Sequence, residues 1–191
     1  MPRRPRDECP GAYQHVVAKG NAGGLIVYDD HDRRDFLTRL GRAAILCQWS
    51  CLAYCLMDTH IHLIVRTPEP NLGYGMQRLL SPYAQRVNRR LLREGHLFRG
   101  RFYSGRIDRP EHLESAILYV LVNPVRAGMV SRADDWPWSS CAATIGRIDP
   151  PNFLDVGATL ELVSADPQAA RRSLAAAVSE VALRERIAPL G

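Results

Sequence analysis

The chain has 191 residues, of which 46% are hydrophobic and 24% charged, so a largely disordered chain is excluded. It contains no run of about 18 apolar residues and no apolar signal-peptide segment near its start, so we expect a cytoplasmic protein without a membrane span. The formal net charge is +5, and of the 25 basic residues only Lys19 is not an arginine. Arginine suits an anionic partner such as nucleic acid. A GC-rich genome would explain the composition equally well, so the positions of the arginines must decide.

Apolar periodicity predicts four strands and four helices. The strand segments are short and bounded by turn residues, and two of the helices begin with a capping aspartate or a proline, at Asp29 and Pro110. The predicted strands are residues 13–19, 25–28, 49–57 and 61–66, the last two forming a hairpin. The predicted helices are residues 30–47, 72–93, 110–123 and 169–187. The third helix is expected to end at Asn123, because a residue that precedes a proline disfavours helical geometry.

This order of elements favours an α+β fold, with one antiparallel sheet and helices packed on one of its faces. A proline-rich joint at residues 149–151 separates the sheet domain, residues 1–148, from a helical C-terminal tail, residues 149–191. We expect the tail to dock on the domain rather than to contact a nucleic acid.

Two histidines, His60 and His62, flank Ile61 at the start of the fourth predicted strand. Residues two apart on a strand point to the same face, so the two imidazoles can hold one divalent ion while Ile61 faces the core. Imidazole is a good ligand for manganese, cobalt or zinc and a less usual one for magnesium. Taken alone, such a pair is more often a surface feature than a metal site.

The helix predicted over residues 110–123 carries a second candidate group. Its apolar residues follow a spacing of three and four, and Tyr119 and Asn123 lie one turn apart on the other side. One interpretation is a half-exposed tyrosine with Asn123 as the helix C-cap. The other is a tyrosine nucleophile beside a third metal ligand. Because a phenol has a pKa of about 10, attack on phosphorus at neutral pH would need a metal that polarises the phosphate.

Arginine is concentrated between residues 83 and 106, where the sequence has seven arginines and one acidic residue, Glu94. Phe98, Phe102 and Tyr103 lie among them. Arginine contacts to phosphate supply affinity, and aromatic rings stack on unpaired bases, so this segment favours nucleic-acid binding over an ordinary solvated face. The seven are Arg86, Arg89, Arg90, Arg93, Arg99, Arg101 and Arg106.

Four motifs together resemble the HUH single-tyrosine transposases, and most closely the branch of REP-associated tyrosine transposases. They are YCLMDTHIHLIV at 54–65, GHLFRGRF at 95–102, YVLVNPVRAG at 119–128 and DWPWSS at 135–140. The resemblance extends from about residue 13 to residue 140, in the same order. The family often has asparagine and an aromatic residue where this chain has Thr59 and Ile61, and arginine where it has Lys19.

The resemblance implies a ferredoxin-like sheet that carries the metal ligands His60 and His62, and a helix that carries the nucleophile Tyr119 and the third ligand Asn123. It implies Mg²⁺ or Mn²⁺ as the metal. Family members cut single-stranded DNA, often beside a hairpin, and form a 5′-phosphotyrosine and a free 3′-hydroxyl. Lys19 and the seven arginines would then contact the DNA.

The leading hypothesis from the sequence is therefore a metal-dependent single-stranded DNA endonuclease and strand transferase. A domesticated protein that binds DNA hairpins without cutting is the alternative, and a hydrolase that acts through activated water is a third. The sequence leaves open whether the protein is a monomer or a homodimer.

Overall fold

The structure is a computed structural model and describes residues 9–187; residues 1–8, where the sequence predicts no signal peptide, and residues 188–191 lie outside the described part. The strands are β1 Ala12–Lys19, β2 Ser50–Leu56, β3 His60–Thr67 and β4 Tyr103–Ile107. The helices are α1 Asp30–Leu46, α2 Leu72–Arg90, α3 Pro110–Arg126, α4 Cys141–Thr144, α5 Val156–Glu161 and α6 Pro167–Ile187.

The strands form one antiparallel sheet in the order β2-β3-β1-β4, with β1 and β3 at its centre. The chain runs β1-α1-β2-β3-α2-β4, which is the element order of a ferredoxin-like fold. The predicted α+β class, the antiparallel sheet and the C-terminal helix are therefore confirmed. Asp29 caps α1 as expected, since its side chain accepts a hydrogen bond from the backbone N–H of Asp32 at 2.8 Å.

Helices cover both faces of the sheet, so the expectation that they pack on one face is wrong. Side chains such as Val16 and Leu63, which are cross-strand partners, pack against α1 and α2. Ile64 points the opposite way because consecutive strand residues alternate, and it belongs to the apolar cluster that includes residues of α3 and α6. Strands β2 and β3 are buried on both faces along most of their length, which explains the apolar runs at 51–56 and 63–65.

Three local predictions differ from the structure. Residues 25–28 are not a strand, although Ile26 is fully buried and its backbone carbonyl accepts a hydrogen bond from the Tyr83 hydroxyl at 2.6 Å. The strand β4 begins in the arginine-rich segment, for which the sequence predicted neither a helix nor a strand after residue 93, and it pairs with β1 at the sheet edge. Helix α3 continues through Pro124 to Arg126.

Pro124 stands in the last turn of α3. A proline there removes one helical hydrogen-bond donor, and the burial of Val122 and Val125 on either side stabilises the continuing helix. The backbone N–H of Ala127 donates to the carbonyl of Asn123 at 3.0 Å, so Asn123 is an interior helical residue and not the C-cap.

Helix α6 docks on the domain, as predicted. Its residues Leu174, Val178 and Ala182 are four apart, lie on one side of the helix and are buried against α3. Helix α5 packs beside β2, where the Thr159 hydroxyl donates to the carbonyl of Leu52 at 3.0 Å. The division of the chain at residue 148 stays a prediction. Among residues 9–187, no helix is long and apolar enough to cross a membrane.

Candidate active site

The face of the sheet that meets α3 brings the two histidines of β3 to the tyrosine of α3. The ring centroids of His60 and His62 are 4.9 Å apart, and those of His62 and Tyr119 are 5.6 Å apart. A cavity of about 480 Å³ opens here. It is lined by His15, Val17, Lys19, His62, Arg99, Arg101, Tyr103 and Tyr119.

Each of the two histidines makes a hydrogen bond through Nδ1. His62 Nδ1 lies 3.0 Å from Nε2 of His15, and His60 Nδ1 lies 3.0 Å from the hydroxyl oxygen of Thr59. Both rings are therefore oriented by a neighbour and keep Nε2, their second coordinating nitrogen, for another partner. Histidines that bind metals are held in this way, with one ring nitrogen on the metal and the other in a hydrogen bond.

Burial keeps the imidazoles at this site neutral. It lowers the pKa of His15 and of His60, and in His60 the positive charge of Lys19 adds to the effect. Burial also lowers the pKa of His62 to about 3, with further contributions from the neighbouring His60, His15, Lys19 and Arg126. A neutral imidazole retains the lone pair that a metal ion requires.

Asn123 lies one turn after Tyr119 on α3 and is 7% exposed. Among residues 9–187, no three His, Cys, Asp or Glu side chains are grouped so that they could hold a metal. A three-residue metal site at His60 and His62 therefore needs a ligand of another type, and the amide oxygen of Asn123 is of the hard kind that Mg²⁺ and Mn²⁺ accept. By donor type, two imidazoles and one amide oxygen suit Mn²⁺ and, less usually, Mg²⁺. Of the three side chains, His62 lines the cavity, whereas His60 and Asn123 are not among its lining residues.

Tyr119 is 37% exposed and borders the cavity, as a nucleophile must. The guanidinium carbon of Arg126 lies 4.6 Å from the centroid of its ring, within the range of a cation–π contact. Arg126 in turn lies 3.5 Å from a carboxylate oxygen of Glu185 on α6. Arg126 is not among the residues that the sequence predicts at the site, because α3 was expected to end before it.

His15 is a second residue of the site that the sequence did not predict. A single histidine in an apolar strand carries no signal of its own, and its partner His62 is 47 positions away. Only the register of β1 against β3 brings the two rings together. The one indication in the sequence is the alternation of side chains along β1. His15 and Lys19 are four positions apart, so their side chains point to the same face of the sheet.

The basic residues predicted to bind DNA lie in different parts of the structure. Lys19, Arg99 and Arg101 line the cavity beside Tyr119. Arg86 and Arg90 instead contact the buried carboxylate of Asp32. Of the others, Arg89 is exposed on α2, Arg93 lies over the ring of Tyr28, and Arg106 pairs with Asp108.

No family model matches the chain. A curated protein of Haemophilus influenzae, named as a REP-associated tyrosine transposase, is 29% identical over 100 residues. The match covers 47% of this chain, and the chain spans only 57% of that relative's length.

A solved structure of a REP-associated tyrosine transposase bound to a REP hairpin superposes with a TM-score of 0.66. It is 16% identical, and the match covers 79% of this chain and 89% of that one. This identity is low enough that the likeness establishes the fold alone. The chain is thus similar in sequence to one REP-associated tyrosine transposase over about half its length and shares the fold of another.

Proposed function

We propose that this protein is a metal-dependent transposase that cuts and rejoins single-stranded DNA at or near hairpins, with Tyr119 as the nucleophile. The observation that carries the proposal is the position of the Tyr119 ring, 5.6 Å from the ring of His62, in a cavity lined by Lys19, Arg99 and Arg101. A candidate nucleophile, one candidate metal ligand and three basic side chains that could bind phosphate thus line one cavity.

In the proposed mechanism, Lys19, Arg99 and Arg101 bind the phosphates of the strand and orient one of them toward Tyr119. His60, His62 and Asn123 would hold Mg²⁺ or Mn²⁺. When bound, the ion would polarise the scissile phosphate and offset the negative charge that develops on it.

The Tyr119 oxygen forms a bond to phosphorus as the bond from phosphorus to the 3′ oxygen breaks. The phenol loses its proton and the departing 3′ oxygen gains one, which gives a 5′-phosphotyrosine and a free 3′-hydroxyl. Attack by a second 3′-hydroxyl on that linkage reverses the bond changes and releases Tyr119. Joining therefore needs no external energy source, because the phosphodiester energy is conserved in the covalent intermediate.

The proposed DNA partner rests on both comparisons. The curated relative is named as a transposase, and the protein that shares this fold was solved with a REP hairpin bound. The basic lining of the cavity fits a nucleic-acid strand.

The test is to incubate the protein with Mn²⁺ and a labelled hairpin oligonucleotide that carries single-stranded flanks, and to look for an adduct that survives SDS. Tyr119→Phe should lower adduct formation and cleavage by more than about 10³-fold, because the covalent route is lost. Hairpin binding should be nearly unchanged, because the phenol hydroxyl is not among the phosphate-binding groups.

Tyr103→Phe is the matched control, since Tyr103 is exposed and lines the same cavity. It should form the adduct at the wild-type rate. Cleavage without an adduct would favour a hydrolase that uses water, and binding without cleavage would favour a non-catalytic hairpin-binding protein. Either result would refute the proposed function.

A further inference from the structure

The register of the two central strands places His15 beside His62. Val17 of β1 is directly opposite His62 of β3, and Ile64 is directly opposite His15. The two histidines are thus diagonal neighbours on one face of the sheet, a separation that long side chains can bridge. Their rings lie 5.2 Å apart at an angle of 24°, and Nε2 of His15 reaches Nδ1 of His62 at 3.0 Å.

This hydrogen bond contains one proton, which has two possible positions. If His15 donates it, the neutral His62 ring carries its own proton on Nε2 and cannot bind a metal through that atom. If His62 donates from Nδ1, its Nε2 has a free lone pair. The direction of the hydrogen bond therefore decides whether His62 can act as a ligand through Nε2.

We propose that His15 is a positioning residue that accepts the Nδ1–H of His62 and so holds the Nε2 lone pair of His62 ready for the metal ion. His15 is not itself a ligand through Nε2, because that nitrogen already faces His62. The metal-binding part of this inference rests on the proposed function. Removing a hydrogen-bond partner of a metal-bound histidine typically weakens metal affinity by about 10- to 100-fold.

The first measurement is the tautomer of His62 in the metal-free protein, read from long-range ¹H–¹⁵N correlations of ¹⁵N-labelled imidazole. Signals of His62 are identified by their loss in His62→Gln. We expect the Nδ1–H form in the wild type. His15→Gln should retain it, because the side-chain oxygen of glutamine can stand near the position of Nε2. His15→Leu should lose the preference and show the Nε2–H form.

The second measurement is Mn²⁺ affinity, followed by the electron paramagnetic resonance signal of free Mn²⁺. His15→Leu should bind about 10- to 100-fold more weakly than the wild type, while His15→Gln should stay close to it. If residue 15 only fills space, His15→Leu should bind Mn²⁺ more tightly than His15→Gln, since leucine packs better than glutamine against Val17 and Ile64. Circular dichroism verifies that each variant is folded.

The Nε2–H form of His62 in the wild type would overturn the inference, and that measurement needs no variant. Equal Mn²⁺ affinity and equal tautomer in the wild type and in folded His15→Leu would also overturn it. A third outcome separates the two proposals: His62 has the Nδ1–H form in the wild type and loses it in His15→Leu, but the protein forms no Tyr119 adduct. That outcome would refute the proposed function and support the role of His15.

Discussion

Tyr119 contacts two imidazole rings and one guanidinium. Its ring stands at 76° to that of His62 and at 69° to that of His15, with centroids 5.6 and 6.0 Å away, and the guanidinium of Arg126 lies over it from two turns along α3. Arg126 is about 40% exposed in its side chain, so water screens part of its interaction with the ring. Arg126 therefore mainly positions the phenol ring of Tyr119 and adds little electrostatic stabilisation to it.

Replacing Arg126 by glutamine should slow adduct formation by about two- to fivefold, because an exposed cation–π contact is worth about 0.5–1 kcal/mol. The measurement is the single-turnover rate of adduct formation at saturating hairpin DNA. Glu185→Gln is the control, since it removes the carboxylate that pairs with Arg126 and leaves the guanidinium in place. It should react at the wild-type rate. An equal loss in both variants would show that the ion pair to α6, not the contact with the ring, matters.

The helices α1 and α2 are joined by an ion-pair cluster around a fully buried carboxylate. Asp32 on α1 accepts a hydrogen bond from Arg86 at 3.1 Å and another from Arg90 at 2.5 Å. It also accepts the backbone N–H of Tyr28 at 3.1 Å. A buried carboxylate must be satisfied in this way, and the two arginines of α2 supply most of the compensation.

Asp32→Asn should destabilise the protein by about 1–3 kcal/mol, because two partly buried guanidiniums each lose one of their two carboxylate partners. Unfolding in urea, monitored by circular dichroism, measures the change in the free energy of unfolding. Glu180→Gln is the control: it removes an exposed pair with Arg184 one turn away on α6, and should cost less than about 0.5 kcal/mol. If both variants lost a similar free energy of unfolding, the ion pairs of the buried Asp32 would stabilise the protein no more than an exposed ion pair does.

Sequence periodicity predicted the helices and strands whose own residues follow a regular apolar pattern. It missed those that form only because another part of the chain pairs with them. Helices α1 and α2 and the hairpin of β2 and β3 have apolar residues at regular spacing and clear capping or turn residues, so they were predicted close to their bounds. Strand β4 has five residues with two polar groups and a glycine, and it is a strand because β1 offers it an open edge. No local pattern contains that information.

The residues of the candidate site fall into the same two classes, those with a local pattern in the sequence and those whose position depends on a neighbouring strand. His60, His62, Tyr119 and Asn123 were found because spacing on one strand and on one helix relates them in pairs. His15 was missed because its role comes from the register between two strands. The extent of α3 was underestimated because the local rule for proline was given more weight than the burial of Val125.

At the scale of the whole molecule, the arginines that looked like one basic segment serve different surfaces. The sheet edge and the loop before β4 direct Arg99 and Arg101 into the cavity beside Tyr119. The axis of α2 directs Arg86 toward the acidic residues of α1, 3.1 Å from Asp32 and 3.6 Å from Asp35. A count of charges along the chain cannot separate these groups, because the fold decides which charges remain free to bind a strand.

This division predicts how DNA affinity depends on salt. Replacing both Arg99 and Arg101 by glutamine should weaken hairpin binding and reduce the slope of log K against log [salt] by about 1.5, because each lost phosphate contact removes about 0.7–0.9. Fluorescence anisotropy of a labelled hairpin between 50 and 200 mM salt measures the slope. Arg86→Gln removes the same type of charge and should leave the slope unchanged, because its guanidinium is engaged with Asp32. A slope that fell equally in Arg86→Gln would mean that DNA binds along α2, and the cavity beside Tyr119 would no longer be the place where the strand is held.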